Sequence, residues 1–210
     1  MNGIEGWDDI VQSLRPIMEA RHQTRERALA QCRKLIQTSS KCIRHVHRQQ
    51  FDEARALLED AKALAAEART GLSPHPELLY AGYLQDAEKE MVEAAAVLAI
   101  VLGEACPSPS KLGVEVVSYL NGMGEAASEM RRYVLDQMRG GKMPEAERLL
   151  QAMETVYDDL ITFDYPDSLT GGLRRTCDAL RAVIERTRSD LTLTHSQREL
   201  LDALRDAKPQ

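Results

Sequence analysis

The chain has 210 residues, a formal charge of −6, 43% hydrophobic residues and 29% charged residues. These values are typical of a globular protein with a substantial core, and they exclude a chain that is basic throughout but not a local basic patch. Helix-favouring residues dominate and no sustained alternating pattern is present, so an all-α fold is expected. In chain order, the helical patterns cover residues 1–15, 17–49, 51–70, 77–105, 114–139, 144–163 and 173–190, with a last short helix from residue 194.

Breaks between these patterns are short, and no interdomain linker is seen. We therefore predict one domain over residues 1–210, a bundle of about six to seven helices, with an N-terminal extension (1–15) and a C-terminal helix (191–210). Pro16 is expected to interrupt the first helix. The helices over 77–105 and 114–139 are joined by a short loop, which predicts antiparallel packing.

The N-terminus lacks a basic segment followed by an apolar one, so no secretory signal is expected. The apolar run over residues 94–102 is too short to span a membrane and reads as a buried helix. Four cysteines without metal-ligand spacing read as small buried residues of a protein from a reducing compartment. Together these features predict a cytoplasmic protein with no membrane partner.

Two pairs of carboxylates stand out: Glu90 with Glu93, and Glu125 with Glu129. Spacings of three and four place each pair on one helix face, where like charges repel, and their neighbours look buried. A divalent cation is the simplest compensation, because hard cations prefer oxygen ligands. Residues three after Glu93 and Glu129 are not histidines, which argues against a di-iron centre. Solvated helix faces remain the alternative.

A second feature is a local excess of positive charge in the predicted helix 17–49 and just before it. Nine cations and two acids lie between residues 15 and 48, which suggests an anionic partner such as a nucleic-acid backbone. Salt bridges to the acid-rich helix that follows are an equal alternative. The candidate nucleic-acid-binding residues are Arg21, Arg25, Arg33, Lys34, Lys41, Arg44 and Arg48.

Three stretches resemble the translin family, and within it the translin-associated factor X (Trax) branch. They are residues 40–48 (SKCIRHVHR), 89–94 (KEMVEA) and 119–132, which contains YLNG and EMRR. The resemblance spans about residues 17 to 190, and the lack of a long insertion between the third and fourth long helices is similar to prokaryotic, chiefly archaeal, members.

The resemblance implies a homo-oligomeric helical shell that binds nucleic acid. RNA, single-stranded or as a short duplex, is the expected partner, and whether single-stranded DNA also binds stays open. The resemblance also implies Mg²⁺-dependent endoribonuclease activity, with Mn²⁺ as an alternative to Mg²⁺. The catalytic acids would be Glu90, Glu93, Glu125 and Glu129. Glu125 departs from the Trax branch, which has Asp there, so metal placement could shift. Two other functions stay open: a non-catalytic nucleic-acid-binding scaffold, and a helical oligomer that binds metal without RNA.

Overall fold

The computed structural model describes residues 4–206, and within this range the protein is helical with no β-strand. The all-α prediction is thus confirmed for these residues. Six long helices are accompanied by three single turns, and the bounds are α1 Trp7–His47, α2 Phe51–Leu72, α3 Pro76–Leu79, α4 Tyr83–Leu102, α5 Pro109–Leu112, α6 Val116–Arg139, α7 Met143–Leu160, α8 Asp167–Thr170 and α9 Leu173–Asp206.

The long helices share a hydrophobic core that follows the apolar periodicity of the sequence. Its centre is α4, whose residues 94–101 are all buried, so that this helix is apolar on every side in its second half. α1 and α2 cover one flank of α4, and α6 covers the other, with α7 and α9 packed beyond α6. α4 and α6 therefore form the middle of the bundle, where the predicted carboxylate pairs lie.

The direction of α6 differs from the sequence-based expectation. Ser118 Oγ donates to Gln85 O (3.1 Å) at the start of both helices, and Lys89 Nζ contacts Glu125 Oε1 (2.7 Å) further along, so α4 and α6 run parallel. The connection between them contains α5 and returns along the bundle. At one end of the bundle Arg55 pairs with Glu104, and at the other Arg69 pairs with Glu115. A connection that retraces the helix gives parallel neighbours, whereas the predicted tight loop would give antiparallel ones.

A buried ion pair fixes α2 to α4. The carboxylate of Glu88 is fully buried, and the guanidinium of Arg69 contacts both of its oxygens at 2.7 and 2.9 Å. Arg69 also contacts Glu115, at the end of the returning connection. Burial still raises the pKa of Glu88, although Arg69 favours its charged form. This network fixes the position of α4 along its axis relative to α2 and to the start of α6.

Two predicted breaks are wrong. Pro16 lies inside the continuous helix α1, on its exposed polar face, where the carbonyl freed by the missing N–H can be hydrated. The predicted helix start near Thr194 lies inside α9, because the hydroxyls of Thr192 and Thr194 donate back to Arg188 O and Asp190 O instead of capping a new helix. Residues 1–3 and 207–210 of the predicted terminal segments lie outside the described range.

The predicted helix over 77–105 is also divided. Its first turn, α3, is separate, and Gly82, with φ +100°, turns the chain into α4. Three cysteines are buried as expected, but Cys106 is exposed in the α4–α5 connection; all four are free thiols. Among the described helices, none combines the length and apolarity that crossing a membrane requires.

Candidate metal centre and nucleic-acid interface

Three carboxylates converge between α4 and α6. Glu90 and Glu93 lie one turn apart on α4, and Glu125 reaches them from the parallel helix α6. One oxygen from each side chain lies within 4.8 Å of one oxygen of each of the others, and all three residues are partly buried. Two separate sequence motifs therefore form one cluster, although the predicted packing direction of their helices was different.

The close approach of α4 and α6 depends on a glycine. A Cβ added to Gly122 would lie 2.7 Å from both the carbonyl oxygen of Lys89 and the Cβ of Val92. Any larger residue would push α6 away from the segment that carries Glu90 and Glu93. Gly122 lies one turn before Glu125, so this contact sets the spacing between the carboxylates of the two helices.

The cluster is electrostatically strained in the absence of a cation. Burial, then the charges of Glu90, Glu125 and Glu129, raise the pKa of Glu93 to about 8. Burial and the charge of Glu125 also raise the pKa of Glu90. Neither Glu90 nor Glu93 forms an ion pair with any residue in the range 4–206. Such a set of oxygen donors needs protons or a cation to be stable at neutral pH.

The donor set fits a hard divalent cation. All three ligands are carboxylates, which Mg²⁺ and Mn²⁺ prefer, and partial exposure leaves room for the waters that Mg²⁺ retains. Lys89 Nζ lies 2.7 Å from Glu125 Oε1 and neutralises part of the charge. A cation bound by the three acids would compete with this ammonium for Glu125.

The fourth predicted acid, Glu129, is held beside the cluster by a histidine. Glu129 Oε1 lies 2.6 Å from Nε2 of His47, whose side chain is 4% exposed, at the end of α1. Glu129 is close enough for its charge to raise the pKa of Glu93, but it is not one of the three converging ligands. The sequence analysis did not identify this partner, because His47 and Glu129 are 82 positions apart and no local spacing connects them.

A cavity of about 550 Å³ opens next to the cluster, between α4, α6 and the start of α9. Lys89 and Glu125 form its wall on the cluster side, and Arg175 faces them from the first turn of α9. Further along α6, Arg132 is exposed, whereas Arg131 pairs with Asp190 at 2.8 Å. Cationic groups from α4, α6 and α9 thus lie around the carboxylates.

The predicted basic surface of α1 divides into two parts. Arg21 and Arg25 are engaged in ion pairs with Glu77 and Glu26, respectively. The other predicted residues are exposed and form no ion pair within the range 4–206, and the expected bridges from α1 to the acids of α2 are not found there. These free cations are Arg33, Lys34, Lys41, Arg44 and Arg48.

Helix geometry relates these cations to the carboxylates. At 100° per residue, Arg33 and Arg44 lie within about 60° of His47, on the side of α1 that borders the cluster. Lys34, Lys41 and Arg48 lie roughly 100–140° from His47 around the helix axis. Arg44, three residues before His47, could therefore contact a ligand bound at the carboxylates, whereas Arg33, about 21 Å from His47 along the helix axis, could contact only an extended one. Lys34, Lys41 and Arg48 lie beside this face.

Comparison with known proteins gives relatives over most of the chain. No family model matches it. Uncharacterized protein MJ0175 of Methanocaldococcus jannaschii is 30% identical over 169 residues, which are 80% of this chain and 74% of that protein.

Three solved structures share the fold. The structure of AfC3PO with duplex RNA has a TM-score of 0.83 and 33% identity, and covers 90% of this chain and 97% of its own. The crystal structure of AfC3PO has a TM-score of 0.82 and 33% identity, covering 90% and 98%. Apo-NeC3PO, at 22% identity, matches in fold with a TM-score of 0.76, covering 92% and 100%. The chain belongs to the C3PO/translin family, as the motifs around its carboxylates and the end of α1 suggest.

Proposed function

We propose that this protein is a Mg²⁺-dependent endoribonuclease of the Trax-like branch that binds RNA within a homo-oligomeric shell. One observation carries the proposal: Glu90, Glu93 and Glu125 converge from two helices, and no ion pair among residues 4–206 neutralises the first two. A purely structural role would not require carboxylates whose burial and mutual repulsion raise the pKa of Glu93 to about 8.

Glu90, Glu93 and Glu125 would hold the metal. A bound Mg²⁺, or Mn²⁺, would supply positive charge beside the phosphodiester and lower the pKa of a nearby water. Glu129 stands beside this site, and Nε2 of His47 fixes one of its oxygens. Its other oxygen is available to accept a proton from an attacking water, which assigns Glu129 the role of general base.

The substrate would be held through its backbone. Arg44 lies one turn from His47 and borders the carboxylates, and Arg33 lies on the same face of α1, about 21 Å from His47 along the helix axis. Lys34, Lys41 and Arg48 extend the positive surface along α1. Arg21 and Arg25 could join them by leaving exposed ion pairs, which are weak. The similar AfC3PO binds duplex RNA, which supports RNA as the ligand here. Contacts of this kind carry little sequence preference, and they would also accept single-stranded DNA.

One observation favours a second candidate, a non-catalytic RNA-binding scaffold. The ammonium group of Lys89 already occupies one face of Glu125, at 2.7 Å. If this ion pair persists when RNA is bound, it would take the place of a metal and the protein would bind RNA without cutting it.

An RNA cleavage assay distinguishes the two candidates. Labelled RNA is incubated with the wild-type protein in Mg²⁺ or in EDTA, and with Glu129→Gln in Mg²⁺. Cleavage by the wild type in Mg²⁺ alone, together with at least a hundredfold loss in the variant and unchanged RNA affinity, is the expected result. Glu147→Gln on the exposed face of α7 is the matched control and should cut normally.

Two outcomes contradict the nuclease proposal. Salt-sensitive RNA binding without Mg²⁺-dependent products would identify the scaffold instead. Metal-dependent thermal stabilisation without RNA affinity would identify a metal-binding oligomer that does not act on nucleic acid.

A further inference from the structure

Lys89 borders the carboxylate cluster and the cavity beside it at the same time. Its ammonium group lies 2.7 Å from Glu125 Oε1, and both side chains also line the cavity of about 550 Å³ between α4, α6 and the start of α9. A volume of this size is within the range of about 300–1,000 Å³ that is usual for ligand sites. Any ion that binds Glu125 therefore also changes the wall of this cavity.

The wall of the cavity that α9 forms is fixed to α6. Asn121, which is buried in α6, donates to Thr170 O at 2.9 Å and accepts a hydrogen bond from Thr176 Oγ1 at 2.8 Å. A Cβ added to Gly171, whose φ is +58°, would lie 2.7 Å from Val117 Cγ1, so the turn before α9 packs directly on α6. The first turn of α9 is therefore held in place beside the cavity before any ligand binds.

The lining of the cavity suits a sugar–phosphate backbone better than a base. Among the described residues that line it, none is aromatic, whereas bases of single strands are usually held by stacking on aromatic side chains. The hydroxyls of Ser118, Ser128 and Thr176 donate to oxygens of the protein itself. Arg175 is exposed and forms no ion pair within residues 4–206, so its guanidinium is free to bind an anion.

The charge of the cavity depends on what neutralises Glu125. Lys89 and Arg175 contribute two positive charges to the lining. Glu125 and Asp86 contribute two negative charges, so the cavity is neutral while Lys89 is paired. When the three clustered acids hold a metal, Glu125 no longer needs Lys89, and repulsion between like charges moves the ammonium away. Two cations and one acid then face the cavity, which becomes attractive to an anion.

We propose that the cavity binds the RNA phosphate next to the scissile one, and that Lys89 moves from Glu125 to this phosphate when the carboxylates hold a metal. A strand whose scissile phosphate lies at the cluster continues into the adjoining cavity, where Arg175 contacts the same neighbouring phosphate from α9. Lys89 has a flexible four-carbon stem with three N–H donors, so it can turn into the cavity without a change of the backbone.

This exchange couples the metal to the RNA. Each of them favours the position of Lys89 that the other requires, so each raises the affinity of the protein for the other by the same factor. The inference rests on the proposed nuclease function, because it names a substrate contact beside the same metal site.

Mn²⁺ binding without RNA tests the competition for Glu125. Lys89→Met removes the ammonium and keeps an unbranched side chain, so this variant should bind Mn²⁺ at least tenfold more tightly than the wild type in electron paramagnetic resonance titrations. Lys89→Gln should change in the same direction and serves if Lys89→Met does not fold. Arg174→Gln is the matched control, because Arg174 is an exposed cation in the same turn of α9 that lines a different cleft. If neither Lys89 variant binds Mn²⁺ more tightly, the inference is overturned.

The salt dependence of RNA binding tests where Lys89 goes. The affinity of an uncleavable RNA is measured by fluorescence anisotropy at several KCl concentrations, in Mg²⁺ and in EDTA. Lys89→Met and Arg175→Gln should each lower the salt slope of log K by about 1 in Mg²⁺, because each removes a phosphate contact. In EDTA Lys89→Met should keep the wild-type slope, since Lys89 is then paired with Glu125. Arg174→Gln should keep the wild-type slope in both.

Three results of the salt titration overturn the inference. An unchanged slope for Lys89→Met in Mg²⁺ means that the ammonium turns to Asp86 or to water. A lower slope for Lys89→Met with a wild-type slope for Arg175→Gln places Lys89 at the scissile phosphate and leaves the cavity unused. An equal reduction in Mg²⁺ and in EDTA shows that no metal-dependent move takes place. In each case Mg²⁺-dependent cleavage by the wild type would still support the proposed function, whereas a wild type that neither binds Mn²⁺ nor cuts RNA would contradict both.

Discussion

Replacing Glu93 by Gln separates the metal-site account from a purely structural one. Glu93 has the most perturbed carboxyl of the cluster, with a pKa raised from 4.5 to about 8 by burial and by the neighbouring carboxylates. The raised pKa means that the folded protein favours the protonated, neutral form. Gln has the same shape and is neutral at every pH, so the variant removes the charge and keeps the packing.

The sign and size of the effect follow from this pKa. The stability that protonated Glu93 contributes is fully present below pH 4.5 and is lost as the pH rises through 8. At about 1.4 kcal/mol per pKa unit, the full loss is roughly 5 kcal/mol, and solvent relaxation reduces it to a few kcal/mol. In EDTA at pH 9, Glu93→Gln should therefore be more stable than the wild type, with a Tm higher by roughly 5–10 °C.

Thermal unfolding followed by circular dichroism at pH 5, 7 and 9 measures this. Mg²⁺ should stabilise the wild type at pH 9, where it replaces the lost proton, and should stabilise Glu93→Gln much less. Glu147→Gln, an exposed acid of α7, is the control and should show the wild-type pH dependence. A variant that is less stable than the wild type at pH 9 in EDTA would refute the electrostatic reasoning.

Three other predictions concern the framework and the substrate. Gly122→Ala should lower the free energy of unfolding by about 1–3 kcal/mol or more and reduce RNA cleavage, because the added Cβ would overlap α4. The control Gly71→Ala has open space around its Cβ, so its free energy of unfolding in urea should be unchanged or higher by up to about 1 kcal/mol. Arg69→Met should lower the free energy of unfolding by about 3–5 kcal/mol, because it leaves Glu88 charged and buried, and adding Glu88→Met should recover most of that loss. A coupling energy of zero between the two substitutions in a double-mutant cycle would contradict this prediction. Arg44→Gln should weaken RNA binding and lower the salt slope of log K by about 1, and an unchanged slope would remove Arg44 from the interface.

The sequence predicted the ends of long helices well where the residues that mark an end lie within the helix or directly beside it. α2 begins at Phe51 as expected, because Asp52 and Glu53 suit its first turn, and α6 ends at Arg139 before two glycines. The break expected at Pro16 is wrong because the cost of a proline inside a helix depends on whether the freed carbonyl can be hydrated, and Pro16 lies in an exposed stretch of α1. The direction of α6 also depends on the route of the α4–α6 connection, which no periodicity encodes.

In the candidate site, too, contacts within one helix could be predicted from the sequence, whereas contacts between distant helices could not. The spacing of Glu90 and Glu93 predicts a shared face, and Glu125 joins them as expected. The partner of Glu129 could not be predicted, since His47 comes from a helix 82 positions away. Lys89 within the site was also missed, because its ion pair with Glu125 exists only once α4 and α6 are parallel neighbours. The roles of these residues in catalysis stay predictions.

Anomalous diffraction from a crystal of the protein with Mn²⁺ and an uncleavable RNA analogue tests the central claim most directly. The account predicts a Mn²⁺ peak at bonding distance from oxygens of Glu90, Glu93 and Glu125, with the ammonium of Lys89 moved off Glu125. A map with bound RNA, no peak among these three carboxylates and Lys89 still in contact with Glu125 would contradict it.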